Sequence, residues 1–243
     1  MSYTNTLPFI YGLQHAPVID QVALSLDVPS TCAHKLIHGG ADLGIVPVAA
    51  LPHIPRAEII SDYCLGATGA VNSVFIYSDK PIEAIRSLRL DGQSRTSNAL
   101  ARVLLRDYWK NKTVSLVDGA ADAYVEIGDR TFGKQHVHPY VYDLAWYWQL
   151  FTGLPFAFAV WVANKPLAPS FIQAFNAALA YGLDQRETLI AELPARIDFD
   201  YRQYLMEHID YSYDEGKKQA VPLFLDLMQS LEHHPDEPAH TEE

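Results

Sequence analysis

The amino-acid sequence predicts an α/β protein of two lobes with a ligand cleft between them. Strand-like and helix-like segments alternate from the start of the 243-residue chain, a pattern typical of α/β folds with largely parallel sheets. Two apolar strand-like segments, one near Val74 and one near Val160, are placed to join two such units. Because ligands of open α/β sheets bind where strand ends meet helix N-termini, we expect the binding cleft between the units.

The two joining strands divide the chain into three parts. Residues 1–78 are assigned to the first part of lobe I, and residues 79–155 to lobe II. Residues 156–243 then supply a return strand, the completion of lobe I and the C-terminal helices. Lobe II is therefore expected to lie between two halves of lobe I.

Lobe I begins with strands and one helix. The helix is expected from Pro29-Ser30-Thr31 to Leu36, because proline and hydroxyl residues favour a helix N-terminus, and Gly39-Gly40 ends it. Runs rich in β-branched and apolar residues predict the strands, which are residues 22–28, 41–50, 58–65 and 71–77.

Lobe II continues the alternation of strands and helices. A polar turn at residues 92–97 precedes an amphipathic helix whose apolar residues, Leu100, Val103, Leu104 and Tyr108, share one face. Further helices are predicted at residues 81–85 and 142–151, and strands at residues 88–91, 114–117 and 123–127. Gly153-Leu154-Pro155 breaks the last of these helices.

The last third of the chain starts with the return strand and is otherwise helical. Residues 156–163 are apolar on both faces, as expected of a strand buried inside a sheet. Two apolar stripes follow at helical spacing and are interpreted as core: Phe171, Ala174, Phe175, Ala178 and Leu179, then Leu223, Phe224, Leu227, Met228 and Leu231. The polar, acidic tail from His233 onward is expected to be frayed.

Composition argues against several functional classes. The hydrophobic fraction of 49% predicts a large core, and the net charge of −11 argues against a broad nucleic-acid-binding face. The longest apolar run is too short to span a bilayer and the chain start does not resemble a secretory leader, so we expect a cytoplasmic protein. Cys32 and Cys64 are interpreted as buried thiols, and the 10 histidines show no metal-ligand spacing. The oligomeric state stays open.

Ser94-Arg95-Thr96-Ser97 is the strongest candidate for an anion site. It follows a predicted strand and opens a predicted helix, whose free N–H groups and partial positive charge favour a carboxylate. The hydroxyls add donors, and Arg95 is the expected fixed positive charge in the cleft. The alternative, common for an isolated serine-rich turn, is a helix cap with a surface arginine.

Five polar residues elsewhere are further candidates. Ser30 repeats the helix-start arrangement in lobe I without an arginine. Asn5 lies near the chain start, Thr68 and Ser73 lie beside or on the fourth predicted strand, and Asp129 follows a strand. Each has a structural alternative, such as satisfying its own turn or bonding to the backbone in the core.

Five short motifs occur in a characteristic order. They are Tyr3-Thr4-Asn5-Thr6-Leu7-Pro8, Gly69-Ala70-Val71-Asn72-Ser73-Val74, Ser94-Arg95-Thr96-Ser97, Ile127-Gly128-Asp129 and Gly153-Leu154-Pro155-Phe156. From residue 3 to about residue 230, their order and spacing resemble the MqnA family of chorismate dehydratases. The resemblance implies a type 2 periplasmic-binding-protein fold and the removal of water from chorismate. The implied product is 3-[(1-carboxyvinyl)oxy]benzoate, made in the first step of the futalosine route to menaquinone, with no metal and no organic cofactor.

The resemblance also implies roles for the matching positions. Asn5 and Ser73 are expected to act in catalysis at the reacting part of the cleft. The expected substrate-binding residues are Ser30, Thr68, Ser94, Arg95, Thr96, Ser97 and Asp129. Relatives usually have a strand before the first motif, whereas only Met1 and Ser2 precede Tyr3, so we expect a clipped first strand.

Two other functions remain open beside the dehydratase. A non-catalytic protein that binds a carboxylate solute has the same fold. The sister enzyme MqnD, the 1,4-dihydroxy-6-naphthoate synthase, shares the fold too, but its start motif is usually of a Pro-Asn-Asp type.

The base of the reaction is not evident among the histidines and carboxylates of the chain. Chorismate loses the proton on C3 and the hydroxyl on C4, and negative charge accumulates on its ring carboxylate if the proton leaves first. We hypothesise that the substrate's own enolpyruvyl carboxylate takes the proton, oriented by Asn5 and Ser73. Residues 94–97 then supply donors to the ring carboxylate.

Overall fold

The computed structural model describes residues 3–232. The predicted frayed tail, like Met1 and Ser2, lies outside the described residues. The strands are β1 Leu43–Pro47, β2 Glu58–Ala67, β3 Val74–Ser78, β4 Ser87–Arg89, β5 Ser115–Leu116, β6 Ala123–Ile127, β7 Tyr140–Asp143, β8 Phe156–Ala163 and β9 Asp210–Ser212. The α-helices are α1 Leu7–His15, α2 Pro29–Ile37, α3 Arg95–Val103, α4 Leu144–Thr152, α5 Pro169–Asp184, α6 Arg186–Glu192, α7 Tyr201–Gln203 and α8 Glu215–Glu232.

Two sheets organise the molecule, which confirms the predicted α/β class. The first sheet has the strand order β1-β8-β2-β9, and the second has the order β5-β4-β6-β3-β7. The strands of the second sheet fall within residues 74–143, and those of the first lie on either side of that range in the chain. The predicted boundaries at residues 78 and 155 remain predictions.

The prediction of largely parallel sheets is wrong. Every pair in the first sheet is antiparallel, and β3 is antiparallel to both of its neighbours in the second. Among the strands of residues 3–232, only β4 pairs in parallel, with β5 and β6. The cause in the first sheet is β8, which returns from the second sheet and runs against β1 and β2 on its two sides. Its sequence, apolar on both faces, suits that position, and seven of its eight residues are buried.

Two predicted helices differ in the structure. The helix predicted at residues 142–151 begins only at Leu144, because β7 runs to Asp143, whose carboxylate then caps α4. Gly153 ends α4 in the left-handed conformation, at φ 74°. Residues 81–85 form a turn closed by a 2.8 Å bond from the N–H of Ala84 to the carbonyl of Pro81, rather than a helix.

The second predicted apolar stripe lies on α8 and is only partly buried. Its residue Leu223 is exposed, whereas Phe224 is buried.

The prediction of a strand at residues 22–28 is also wrong. The segment is extended at Val22, with φ −131° and ψ 145°, but it pairs with no strand in residues 3–232. A cavity of about 500 Å³ separates it from the edge of β1, and Leu24 and Leu26 beside this cavity are exposed. The alternating pattern predicts an extended backbone, but a β-strand also needs a neighbouring strand about 4.8 Å away with which to form backbone hydrogen bonds.

The sequence also predicts that the chain has no membrane-spanning segment and that both cysteines are buried thiols. No helix within the described range is long and apolar enough to cross a membrane. Cys64 is buried as predicted, and burial raises the pKa of its thiol. Cys32 is only half-buried, so its prediction as a buried thiol holds in part.

Helices α1 and α5 pack at very short range. A Cβ atom on Gly12 would lie 2.0 Å from the carbonyl oxygen of Ala178, and one on Gly182 would lie 1.9 Å from that of Pro8. Backbone atoms cannot swing aside as the end of a side chain can, so both positions require glycine for this approach. The contact holds α1, and the polar residues before it, against α5, which in turn packs on β2 of the first sheet.

We therefore expect Gly12→Ala to lower the free energy of unfolding by about 1–3 kcal/mol, because the added methyl group forces the two helices apart. Urea denaturation measures this loss. Gly119→Ala is the matched control, since a Cβ at Gly119 meets no atom within 4 Å. Equal stability of the two variants would contradict the close packing of α1 against α5.

Candidate active site

A small cavity lies between the two sheets, where residues from both meet. Its volume is about 60 Å³. From the first sheet and its helices come Pro29, Pro47, Leu65, Gly66, Phe158 and Ala159; from the second come Ser73, Val74, Ser94, Thr96, Ser97, Ile127 and Gly128. Tyr3, Asn5, Val71 and Ile209 complete the lining. The structure thus brings together five of the predicted site residues: Asn5, Ser73, Ser94, Thr96 and Ser97.

The N-terminus of α3 supplies the hydroxyls on one side of the cavity. Ser94 caps the helix, because its hydroxyl oxygen accepts the N–H of Ser97 at 3.1 Å. The hydroxyl of Thr96 accepts the N–H of Ala49 at 3.2 Å, which leaves the proton of Thr96 available to a ligand. Ser97 is buried, and its hydroxyl has no hydrogen-bond partner among residues 3–232. The alternative interpretation, a helix cap with a surface arginine, therefore holds for Ser94 and Arg95, and the carboxylate site at Thr96 and Ser97 stays a prediction.

Local hydrogen bonds hold this turn in place. The side chain of Asn98 accepts the N–H of Asp91 and donates to the carbonyl of Asp91, at 2.9 and 2.8 Å. The carboxylate of Asp91 in turn accepts the N–H groups of Gln93 and Ile127. These bonds connect the end of β4, the turn and the end of β6, so the hydroxyls of α3 are fixed relative to the second sheet.

Asn5 and Ser73 face the cavity from another side and share one partner, Tyr204. The amide nitrogen of Asn5 donates to the Tyr204 oxygen at 3.3 Å, and the Tyr204 hydroxyl donates to the Ser73 hydroxyl at 2.9 Å. The hydroxyl of Tyr211 donates to the carbonyl oxygen of Asn5 at 3.0 Å. The side-chain oxygen of Asn5 is buried and has no hydrogen-bond partner within residues 3–232.

Asp129 does not line the cavity but contacts the segment that carries Asn5. Its carboxylate accepts both the N–H and the hydroxyl of Thr4, at 3.1 and 2.9 Å, and so holds the segment that carries Asn5. Burial raises the pKa of Asp129, although the bonds from Thr4 act in the opposite direction. Its neighbour Gly128 lines the cavity with φ 65°, and a Cβ there would lie 2.9 Å from the ring of Tyr3.

Three other predicted residues lie outside the cavity lining. Arg95 is exposed. Thr68 is also exposed, and its hydroxyl donates to Asp210 at 2.7 Å. Ser30 is half-buried at the start of α2, whose first residue, Pro29, does line the cavity.

The sequence reasoning missed the cation beside the site. Arg130, directly after Asp129, pairs with the buried carboxylate of Asp91 at 2.6 Å, close to Tyr3, whose hydroxyl donates to Gln93. An arginine directly after Gly128-Asp129 was the available signal, but the sequence alone does not show that Asp91 is its partner. Tyr204 carried no signal, because its contacts with Asn5 and Ser73 span 199 and 131 residues of sequence.

The polar side chains that line the largely apolar cavity are neutral. Apart from the phenol of Tyr3, its lining contains no titratable side chain in the part of the chain that the structure describes. The same range holds no cluster of histidine, cysteine, aspartate or glutamate that could bind a metal ion. A ligand with carboxylates would be held here by hydroxyl, amide and backbone N–H donors.

Comparison with solved structures identifies the class of fold. A protein from Archaeoglobus fulgidus, AF1704, superposes with a TM-score of 0.74 at 11% identity over 95% of both chains. The periplasmic aliphatic sulphonate binding protein SsuA of Escherichia coli superposes with a TM-score of 0.59 at 15% identity, over 99% of this chain and 92% of SsuA. The protein therefore has the periplasmic-binding-protein fold, as the motif resemblance implied.

Sequence comparison then gives the family. The menaquinone biosynthesis family matches residues 1–230, and the chain belongs to this family. A chorismate dehydratase of Thermus thermophilus is 26% identical over 220 residues, which cover 80% of this chain and 79% of that enzyme. The predicted family resemblance is confirmed.

Ser94 and Ser97 make different contributions to stability, which mutagenesis can separate. Ser94→Ala removes the cap of α3, so we expect the free energy of unfolding to fall by about 1 kcal/mol. Ser97→Ala removes a hydroxyl that bonds to no described residue, so we expect a change below about 0.5 kcal/mol. Urea denaturation of both variants measures the difference, and an equal loss would contradict the assignment of Ser94 as the cap.

Proposed function

We propose that the protein removes water from chorismate and forms 3-[(1-carboxyvinyl)oxy]benzoate for menaquinone biosynthesis by the futalosine route. The family and the Thermus thermophilus relative support a role of this kind. The observation that carries the proposal is the cavity itself, where hydroxyl donors on α3 lie across from Asn5 and Ser73. The cytoplasmic location expected from the sequence stays a prediction.

The hydroxyls of α3 suit the ring carboxylate of chorismate. Removal of the proton on C3 sends its electron pair through the neighbouring double bond toward that carboxylate, where negative charge develops. Thr96 and Ser97 each have a hydroxyl proton to donate, because no described acceptor takes it. The N-terminus of α3 adds its partial positive charge. These donors stabilise the transition state more than the ground state, since charge grows there as the proton leaves.

The lack of a protein base in the lining favours catalysis assisted by the substrate. Within residues 3–232, no carboxylate, imidazole or amine lines the cavity. The enolpyruvyl carboxylate of chorismate takes the C3 proton, and the C3–H electron pair enters the ring system. The C4–O bond then breaks, and the new carboxylic acid returns the proton to the departing hydroxyl, which leaves as water. Aromatisation of the ring supplies the driving force.

The size of the cavity requires the sheets to separate before the substrate enters. Sites for small ligands usually measure about 300–1,000 Å³, well above the 60 Å³ found here. The sheets are connected by residues 68–73 and by residues 144–155, which contain α4. Movement about these two connections would widen the cavity and close it again over the substrate.

The proposed reaction is tested by incubating the purified protein with chorismate. We expect the diene absorbance to fall and mass spectrometry to show a product lighter by one water. Ser97→Ala should slow turnover by about 100-fold, because it removes one donor to the developing charge. Ser115→Ala, which changes an exposed serine on β5, is the matched control and should keep normal turnover. Binding without loss of water would favour the solute-binding alternative, and turnover only of the naphthoate precursor would favour the sister enzyme.

The role of the substrate carboxylate has a separate test. A chorismate analogue with the enolpyruvyl carboxylate converted to an amide lacks the proposed base, so we expect it to bind but not to lose water. Stopped assays with mass spectrometry follow both compounds side by side. Turnover of the amide at the rate of chorismate would refute the role of this carboxylate and leave the reaction itself in place.

A further inference from the structure

Tyr204 joins the two predicted catalytic residues although it does not line the cavity. It lies in a π-helical segment, Tyr204–His208, far along the chain from Asn5 and Ser73. Its side chain is fully buried, with the rings of Phe132 and Phe199 centred 5.2 and 5.3 Å from its own. These rings fix the phenol in one position, so its hydrogen bonds have a defined geometry.

The hydrogen bonds of Tyr204 have a fixed direction. A phenol carries one proton, and Tyr204 gives it to the Ser73 oxygen while accepting the amide N–H of Asn5. Burial raises the pKa of Tyr204, so the phenol keeps that proton at neutral pH. The direction of the chain is therefore from Asn5 through Tyr204 to Ser73.

This direction determines what each end offers to the cavity. Ser73 already accepts a bond from Tyr204, so its own proton is left to donate, and no described residue accepts it. Asn5 uses its amide nitrogen on Tyr204, so its buried side-chain oxygen is left to accept, without a partner in the described part of the chain. One free donor beside one free acceptor matches a hydroxyl group, which both accepts and donates.

Granting the dehydration proposed above, we propose that Tyr204 is a positioning residue that directs the Ser73 proton toward the C4 hydroxyl of chorismate. This assignment replaces the sequence-based hypothesis that Asn5 and Ser73 orient the enolpyruvyl carboxylate. Asn5 accepts the proton of the C4 hydroxyl in the bound substrate, and Ser73 donates to the oxygen of that hydroxyl. When the C4–O bond breaks, its electron pair goes to this oxygen, and the bond from Ser73 strengthens as the charge develops. The proton that completes the water comes from the substrate carboxylic acid, so Ser73 and Tyr204 end the step unchanged.

Tyr204→Phe removes the phenol oxygen and keeps the ring between Phe132 and Phe199. Without the bond from Tyr204, Ser73 can rotate and no longer points its proton in one direction. We expect kcat to fall by about 10- to 100-fold, the effect of one or two lost hydrogen bonds, with KM changed much less. Tyr213→Phe is the matched control, because Tyr213 is a buried tyrosine whose hydroxyl bonds to no described residue. We expect Tyr213→Phe to keep wild-type kcat.

A double-mutant cycle separates positioning from a general loss of structure. If Tyr204 acts through Ser73, the double variant Ser73→Ala with Tyr204→Phe is no slower than Ser73→Ala alone. Independent, multiplying losses would overturn the inference, and so would normal kcat for Tyr204→Phe. If Tyr204→Phe does not fold, 3-fluorotyrosine at position 204 keeps the ring and both bonds but makes the phenol a stronger donor. A changed kcat at constant KM then supports the inference, and an identical kcat overturns it.

Assay of the wild-type protein shows whether the proposed reaction is wrong or only the proposed role of Tyr204. If wild-type protein leaves chorismate intact, the proposed reaction is wrong and the role of Tyr204 falls with it. If the wild type releases water while Tyr204→Phe is equally fast, the reaction stands and only the role of Tyr204 is wrong.

Discussion

The buried carboxylate of Asp143 holds the two sheet connections together, and the position of the candidate site depends on it. One oxygen accepts the N–H of Asn72 at 2.7 Å, and the other caps α4 through Ala145 and Trp146 at 3.0 and 3.1 Å. Burial raises the pKa of Asp143 to about 6, against the effect of these N–H donors. Asn72 adopts the left-handed conformation at φ 53° and immediately precedes Ser73. The carboxylate thus fixes the backbone from which a predicted catalytic hydroxyl projects.

Near the candidate site, the feature that the sequence predicted correctly is a local one, the start of α3. Ser94 caps the helix that it directly precedes, so a serine-rich turn between a strand and a helix was enough to locate it. The pairing of Arg130 with Asp91 and the contacts of Tyr204 join residues 39 to 199 positions apart. No spacing rule reports such contacts, because they exist only after the sheets have formed. The placement of Arg95 on the surface is of the same kind, since a helix start does not tell which way its second residue faces.

The fold shows the same division between local and distant information. Strands β6 and β8 match their predicted ranges, because their apolar pattern and their burial agree along their whole length. Residues 22–28 have a comparable pattern, and the backbone is extended at Val22 and Val28, but the segment has no neighbouring strand within the described range, so the predicted strand does not form. The direction of β8 depends on its return from the second sheet, which no local pattern encodes. The packing of Gly12 on α5 likewise requires both helices to be in place.

The cavity beside β1 has a consequence for how the molecule meets other polypeptides. Within residues 3–232, β1 pairs only with β8, and the N–H of Asn164 donates to Asp42 on that side. Alternation along an antiparallel strand then turns the backbone groups of Leu43 and Ile45 toward the open cavity. An unpaired strand edge is where extended chains add to a sheet and where aggregation begins, and lysines near such an edge oppose both. Lys35 and Lys165 line this cavity, each in an ion pair with an aspartate, Asp27 at 2.6 Å and Asp42 at 2.8 Å. Charged side chains therefore flank the open edge and oppose the addition of an apolar strand.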